Sequence, residues 1–243
     1  MIRVASYNIQ KSIGTDFKRK PERILAVLSE LDADIVALQE VDRRFGERVT
    51  SIDPAALAAA TGYRPVVFGA RPHSLGWHGN TLLVRATTEV LAQRTLVLPR
   101  LEPRGAVLAD LRVGGAIIRV VGVHLGLLGL WRRRQAEAVL NQIEALEVPL
   151  PTIIMGDLNE WSVHGGCLQH FARDHHVGEP GPSYPSVRPV FGFDRIIASS
   201  EITIEAAGVH RSARSRVASD HLPVWANLEL NGNAVAVGAD AGS

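Results

Sequence analysis

A chain of 243 residues with 26 Lys and Arg against 25 Asp and Glu has a formal net charge of +1. It therefore offers no broad cationic surface of the kind that grips a nucleic-acid backbone through many Lys and Arg contacts. Its one cysteine, Cys167, cannot close an intramolecular disulfide, and no run of about 18 apolar residues is present to span a bilayer. The hydrophobic fraction is 46% with 5% aromatics, so Ala, Val, Leu and Ile must build the core of a single domain.

The chain enters a strand pattern at once, Ile2 to Ile9, without the basic start and long apolar stretch of a signal peptide. A cytoplasmic protein is expected. Pro21 opens a helix with Ile24, Leu25, Leu28 and Leu31 at helical spacing. Asp34 to Gln39 reads as a buried strand ending at Glu40, and Pro54 to Ala60 as an Ala-rich helix stopped by Gly62. Short apolar runs follow at Pro65–Gly69, Thr81–Val84, Val90–Leu98, Ala106–Val113 and Ala116–Leu125, separated by turn signals such as Gly114-Gly115. They predict consecutive antiparallel strands. Arg132 to Leu146 predicts a helix with Ala136, Val139, Leu140 and Ile143 as its apolar stripe. Thr152–Met155 is a strand, Gly178 to Pro189 a Gly/Pro-rich loop, and two or three further strands finish at Leu230. No internal repeat or linker is visible. One domain over 1–230 is expected, with 231–243 as a disordered tail. Strand–helix–strand units at the start and centre, with meanders between them, suggest an α/β architecture of two sheets packed face to face with helices outside.

Polar groups stand where the apolar runs stop. Asn8 ends VASYNIQ, Glu40 ends DIVALQE, His124 closes AIIRVVGVHL, and Asp157 and Asn159 end TIIMGDLN. Asp194 opens FDRIIAS, and Asp220 and His221 precede LPVWANLEL. Loops held by rigid strands commonly carry catalytic groups. Carboxylates, carboxamides and imidazoles without cysteine suit a hard, oxygen-loving cation such as Mg²⁺ or Mn²⁺. Singly, each has a plainer explanation: Asn8 as a turn residue, Gly156-Asp157 as a tight turn, any one histidine as a satisfied structural group.

Taken in order, the segments SYNIQ, LQEVD, GNTLLV, VHLG, GDLNE, FDRI and SDHLP, from residue 6 to 223, resemble the endonuclease/exonuclease/phosphatase superfamily of metal-dependent phosphohydrolases. The resemblance implies a DNase I-like four-layer α/β-sandwich, two packed mixed β-sheets flanked by helices. It implies a divalent-metal-dependent phosphoester hydrolase that works by in-line attack of water. Glu40 would be the principal metal ligand with Asn8 beside it, and Asp220 would contact a metal. Asp157 would orient or deprotonate the water, and Asn159 would place that water or hold a phosphate oxygen. Asp194 would brace His221, which would face the phosphorus and either accept a proton or stabilise the growing charge, and His124 would donate to a non-bridging oxygen or the leaving group. Asn80, in GNTLLV, matches a position lining the cleft, and Arg104 could clamp a phosphate. Arg71 and His73 lie near the expected mouth. His78, His164, His170, His175, His176 and His210 receive no role, and most are expected at the surface.

The substrate is less legible. A short, nearly neutral, aromatic-poor chain favours a small or lipid-linked phosphoester over a nucleic acid, with a DNA or RNA nuclease as the alternative. A catalytically silent binding scaffold is the alternative from another class. The basic runs Lys18-Arg19-Lys20 and Arg132-Arg133-Arg134 are, as such runs usually are, expected to be solvated. The apolar stretch Gly126 to Trp131 followed by three arginines could touch lipid over 126–134, or its leucines could pack the start of the next helix. A monomer is expected.

Overall fold

The computed structural model describes residues 1–43, 46–69, 73–99 and 101–231. Of the expected tail at 231–243, Asn231 is tied to the Glu201 and Ser200 carbonyls at 2.9 and 3.0 Å; 232–243 and Arg71 lie outside the described residues. The elements run β1 (Ile2–Asn8), α1 (Pro21–Leu31), β2 (Ile35–Gln39), α2 (Pro54–Thr61), β3 (Tyr63–Pro65), β4 (Thr81–Arg85), β5 (Glu89–Leu96), β6 (Gly105–Val113) and β7 (Ala116–His124). They continue with α3 (Gly129–Glu144), β8 (Thr152–Asp157), α4 (Leu168–Phe171), β9 (His175–Val177), β10 (Asp194–Ser199), β11 (Ile202–Val209), α5 (Ser215–Ala218) and β12 (Val224–Leu230).

Two six-stranded mixed sheets result, in the orders β11-β12-β1-β2-β4-β3 and β5-β6-β7-β8-β10-β9. Each has a parallel pair at its centre, β1 with β2 and β7 with β8, and antiparallel pairing on either side. No sequence repeat announces this, yet the two halves share one pairing pattern. A parallel neighbour requires a crossover, which each half makes with a helix, α1 or α3. Strands covered on both faces read as continuous apolar runs, and β1, β2 and β8 do.

The inter-sheet core carries Val4, Ile35, Leu82 and Ala226 from the first sheet against Val107, Val120, Ile153 and Ile196 from the second. The outer face of the first sheet packs Val36, Leu38 and Leu83 under Ile24, Leu28 and Leu57 of α1 and α2. The outer face of the second packs Val121, Val123 and Ile154 under Val139 of α3 and Phe171 of α4. The layers are therefore helix, sheet, sheet and helix, as expected. The sheets close tightly at small residues: a Cβ on Gly122 would lie 3.2 Å from Leu82 and 3.6 Å from the Ala37 Cβ.

Several local expectations differ. The apolar run Pro65–Gly69 is not a strand. β3 instead ends at Pro65, whose missing N–H cannot extend a ladder. α3 begins at Gly129 rather than Arg132, because the apolar Leu130 and Trp131 form its first turn. Its stripe is led by Ala136 and Val139, with Leu140 and Ile143 only partly covered. Arg132 is not solvated: it is buried with Glu160, their ion pair closing at 3.3 Å. The lone Cys167 is buried and unpaired. Among the described residues no helix is long and apolar enough to cross a membrane.

Gly156 is the tightest point of the second sheet. A Cβ there would sit 1.9 Å from the Val123 carbonyl oxygen on the adjoining parallel strand. Gly156→Ala should lower unfolding stability by about 3 kcal/mol or more, read as a fall in the urea midpoint. An unchanged midpoint would show that β7 and β8 do not approach as described.

Candidate active site

The parallel strands of each sheet end on the same edge of the molecule. β1 ends at Asn8 and β2 runs into Glu40, while β7 ends at His124 and β8 at Asp157. Ligands of α/β sheets bind outside such carboxyl ends. Register then fixes the neighbours: His124 stands beside Asp157, and Asp157 faces Asp194 across the β8–β10 ladder. The two sheets meet where Asn8 Nδ2 donates to Asp157 Oδ2 at 3.0 Å.

Asp157 is buried and much engaged. Its Oδ1 accepts the Asn159 backbone N–H at 2.9 Å, and its Oδ2 lies 3.7 Å from His221 Nε2. Burial raises its pKa to about 6, although the positive charge of His221 and the bond from Asn8 pull the other way. Asn159 takes a left-handed backbone, φ 50°, and anchors its amide on the Leu125 carbonyl at 3.0 Å.

His221 Nδ1 donates to Asp194 Oδ2 at 2.9 Å, which fixes the ring and leaves Nε2 toward Asp157. Ser183 Oγ donates to the same Asp194 oxygen at 2.5 Å. Burial alone would discharge the imidazole, but Asp194, Asp157 and Asp220 outweigh it and raise its pKa to about 10. His221 is therefore an imidazolium at neutral pH. Tyr184 and Phe193 cover it, with ring centroids 4.8 and 6.4 Å away, and Phe191 and the exposed Trp161 extend the wall. Few as the aromatics are, four of them gather here.

His124 is driven the opposite way. Burial, Arg104 and His221 hold its pKa well below the usual value, so it is neutral. Arg104 Nη1 lies 2.7 Å from His124 Nε2 and 3.1 Å from Nδ1, and a neutral imidazole offers one acceptor nitrogen to the guanidinium, which can only donate. Because the ring is neutral, the 3.4 Å approach of Nε2 to Asp157 is not an ion pair.

Glu40 and Asp220 stand at the outer side of the group. Glu40 has a left-handed backbone, φ 56°, and its carboxylate pairs with the Lys11 ammonium. Lys11 has the same unusual backbone, φ 58°, and its N–H donates to the Glu40 carbonyl at 2.9 Å. Burial raises the pKa of Asp220, and the charge of Glu40 adds to that, so the two carboxylates sense one another. Asn80 is wholly buried, with its amide donating to the Gly105 carbonyl at 3.1 Å. Its Oδ1 makes no hydrogen bond among the described residues, and it does not line the cleft over Glu40 and Arg104.

An open cleft lies over Glu40, Arg104 and His124, lined also by Lys11, Asp42, Arg43, Arg48, His78 and Glu102. Asp157, Asp194 and His221 are not among its lining residues and communicate with it through His124. Arg104 pairs there with Glu102 at 3.2 Å. Lys11 and His78 had no expected role. A lysine three residues after an asparagine carries no signal by itself, and only its pairing with Glu40 makes it notable. The exposed His73 is not among the lining residues.

The family model for the endonuclease/exonuclease/phosphatase family matches residues 5–221. The chain belongs to that family. No curated protein matches it in sequence. An endonuclease/exonuclease/phosphatase from Bacteroides vulgatus has a similar structure at 18% identity and TM-score 0.74, covering 95% of this chain and 99% of that one. The mannosyl-6-phosphatase Bt3783 of Bacteroides thetaiotaomicron is similar at 18% identity and TM-score 0.73, covering 95% and 100%. D. rerio TDP2, complexed with a single-strand DNA product, is similar at 16% identity and TM-score 0.70, covering 94% and 98%. The fold is the DNase I-like one, and the family is one of divalent-metal-dependent hydrolases acting on phosphoester bonds.

The opposed histidines can be checked directly. ¹⁵N NMR of the ring nitrogens should show His221 protonated and His124 neutral at pH 7 to 8. Asp194→Asn should lower the His221 pKa, because it removes both a negative charge and the acceptor of the Nδ1–H. A His221 that titrates near 6.5 in the unaltered protein would disprove the charge assignment.

Proposed function

We propose that this enzyme hydrolyses a small or lipid-linked phosphoester with Mg²⁺ or Mn²⁺, by in-line attack of a water held at Asp157. The observation that carries it is the Asn8–Asp157–His221–Asp194 chain, which sets a buried base against a carboxylate-braced imidazolium.

The donor set fits a hard cation. Glu40, Asp220 and the Asn8 amide offer oxygen ligands and no thiol, and the crowding of Glu40 and Asp220 is what a divalent ion would relieve. Asp157, Asp194 and His221 also place ligand atoms within 4.8 Å of one another. We do not assign the ion there, because His221 Nδ1 and Asp194 Oδ2 are committed to each other. A cation bound at Glu40, Asn8 and Asp220 would supply charge neutralisation at a phosphate oxygen.

The protein's own groups account for the remaining chemistry. Asp157 accepts the proton of the attacking water, its basicity raised by burial. Asn159 fixes the loop that carries it. The His221 imidazolium faces the growing negative charge on phosphorus and is kept protonated by Asp194. Arg104 holds a non-bridging oxygen, and on doing so frees the His124 imidazole, against which its Nη1 rests. Asp157→Asn should lower kcat on bis(p-nitrophenyl) phosphate by about 100-fold or more, and EDTA should abolish turnover until Mn²⁺ is restored. A near-normal rate for the variant removes Asp157 from this role. No turnover across a phosphoester panel would favour the silent scaffold, and efficient plasmid cleavage with small esters untouched would favour the nuclease.

A lipid-linked substrate is favoured by one observation. Leu127, Leu128 and Leu130 are 58%, 54% and 52% exposed, just after His124 and beside the exposed Arg133 and Arg134. Leu130 lies in the first turn of α3 and is still about half exposed. Three leucines with adjoining cations suit the interface of an anionic membrane. Replacing all three by serine should cut sedimentation with phosphatidylglycerol vesicles by about tenfold. Equal binding by both proteins would leave the leucines without that role. We keep a cytoplasmic monomer as the proposed state of the enzyme.

A further inference from the structure

Among the described residues Phe17 is the most exposed large apolar side chain, at 90%. It stands at the tip of the loop that joins β1 to α1, and that loop is firmly built. Ile13 bridges Arg19 in antiparallel fashion. The Gly14 N–H donates to the Lys18 carbonyl at 3.0 Å, the Phe17 N–H to the Gly14 carbonyl at 2.9 Å, and the Lys20 N–H to the Ser12 carbonyl at 2.8 Å. Asp16 accepts the Lys18 N–H at 3.1 Å and holds the Arg23 guanidinium by both oxygens, at 2.9 and 2.8 Å. The Thr15 N–H reaches the Val217 carbonyl at 3.2 Å, so close that a Cβ on Gly14 would meet that oxygen at 2.4 Å. Phe17 itself has φ 57°, a backbone that Asn or Gly adopts at lower cost. The ring is thus held out in water by a hairpin whose shape is set without it.

Cations surround this tip. Over residues 16–23 Lys and Arg outnumber Asp and Glu four to two. Asp16 is committed to Arg23 and also senses Lys20, and Glu22 senses Arg23. Lys18 and Arg19 are exposed and form no ion pair among the described residues. The same holds for Arg216, next to Val217, which is 42% exposed. The hairpin also adjoins the cleft: Arg19 Nε donates at 3.1 Å to the carbonyl of Lys11, a lining residue. The leucine loop adjoins the same cleft through Glu102, which lines it and accepts the Leu127 N–H at 2.8 Å. Two apolar tips with adjoining cations therefore border one opening.

We propose that the hairpin at 13–19 is a docking point for an anionic lipid bilayer, separate from the leucine loop. Phe17 enters the interface, and Lys18, Arg19 and Arg216 meet the headgroups. Burial of an apolar side chain and attraction of cations to anionic lipid together set peripheral binding. Contact at both tips would turn the cleft toward the membrane that carries its substrate. An exposed aromatic among cations could instead stack on a nucleic-acid base. A net charge of +1 favours the bilayer, since backbone affinity for nucleic acid needs many more Lys and Arg contacts. The inference rests on the lipid-linked reading of the substrate.

Sedimentation with vesicles of equal parts phosphatidylglycerol and phosphatidylcholine tests it. Phe17→Asn relieves the left-handed backbone, so its melting temperature should hold or rise while vesicle binding falls about tenfold. Lys18→Gln should weaken binding to these vesicles about fivefold and leave binding to pure phosphatidylcholine unchanged. A nitrobenzoxadiazole label on Phe17→Cys, specific because Cys167 is buried, should be quenched by brominated acyl chains. The proposal is overturned if the unaltered protein does not sediment, if Phe17→Asn sediments as well as it does, or if the label escapes quenching. Loss of single-stranded oligonucleotide binding in Phe17→Asn, with vesicle binding intact, would assign the hairpin to nucleic acid instead. Turnover of bis(p-nitrophenyl) phosphate, read beside the binding, separates the two readings. Full turnover with no part for Phe17 in binding refutes only this docking point, and binding through Phe17 by a protein that cuts no phosphoester refutes only the hydrolase assignment.

Discussion

The arrangement depends on where two sheets are forced to stop. Each is built around a parallel pair joined by a helix, and the sheets pack closely at Ala37 and Gly122, where a Cβ on the glycine would already crowd Leu82 at 3.2 Å. That packing brings four strand ends, at Asn8, Glu40, His124 and Asp157, to one edge. None of these residues needs a neighbour in sequence to find its partner. Asn8 and Asp157 are 149 positions apart and still share a 3.0 Å hydrogen bond, because the inter-sheet core fixes the distance between their strands.

Crowding carboxylates at a partly dry edge has an electrostatic cost, and the fold answers it with cations of different kinds. His221 is held protonated by the charge of its three acidic neighbours, Lys11 covers Glu40, and Arg104 stands over His124. The two imidazoles are driven to opposite charge states by these surroundings: one faces Asp194 and Asp157, the other faces a guanidinium. Such a divergence between like groups marks acid and base roles more surely than either residue alone. It also explains why an aromatic wall of Tyr184 and Phe193 lies on His221. A low-dielectric cover strengthens the attraction between the imidazolium and its carboxylates.

Much of this could be seen in the sequence because polar residues interrupt apolar runs at strand ends, and period and position together mark Asn8, Glu40, His124, Asp157, Asp194 and His221. The four-layer architecture was legible for the same reason, since strand–helix–strand units force parallel pairs. What stayed hidden depends on backbone conformation or on long-range pairing. Lys11 and Ser183 acquire meaning only when Glu40 and Asp194 arrive beside them. Arg132 sat in what looked like a solvated basic run, yet Glu160 draws it inside. β9, α4 and α5 are too short, at 3, 4 and 4 residues, for any period to declare itself.

Left-handed backbone was the feature least visible in advance. Lys11, Glu40, Arg48 and His78 all have positive φ without being glycine, and all four line the same cleft. Each such residue costs about 1–2 kcal/mol, a sum comparable to much of a domain's net stability. Glycine or asparagine would adopt this backbone at lower cost, so at these four positions the side chain comes at the expense of backbone comfort. Strain of this kind persists where surrounding structure over-determines it, and here the constraint is visible: the Lys11 N–H is tied to the Glu40 carbonyl, and the Val41 N–H to the Gly79 carbonyl at 3.0 Å. These two hydrogen bonds, ordinary in length, tie the Lys11, Glu40 and Gly79 segments of the cleft wall to one another.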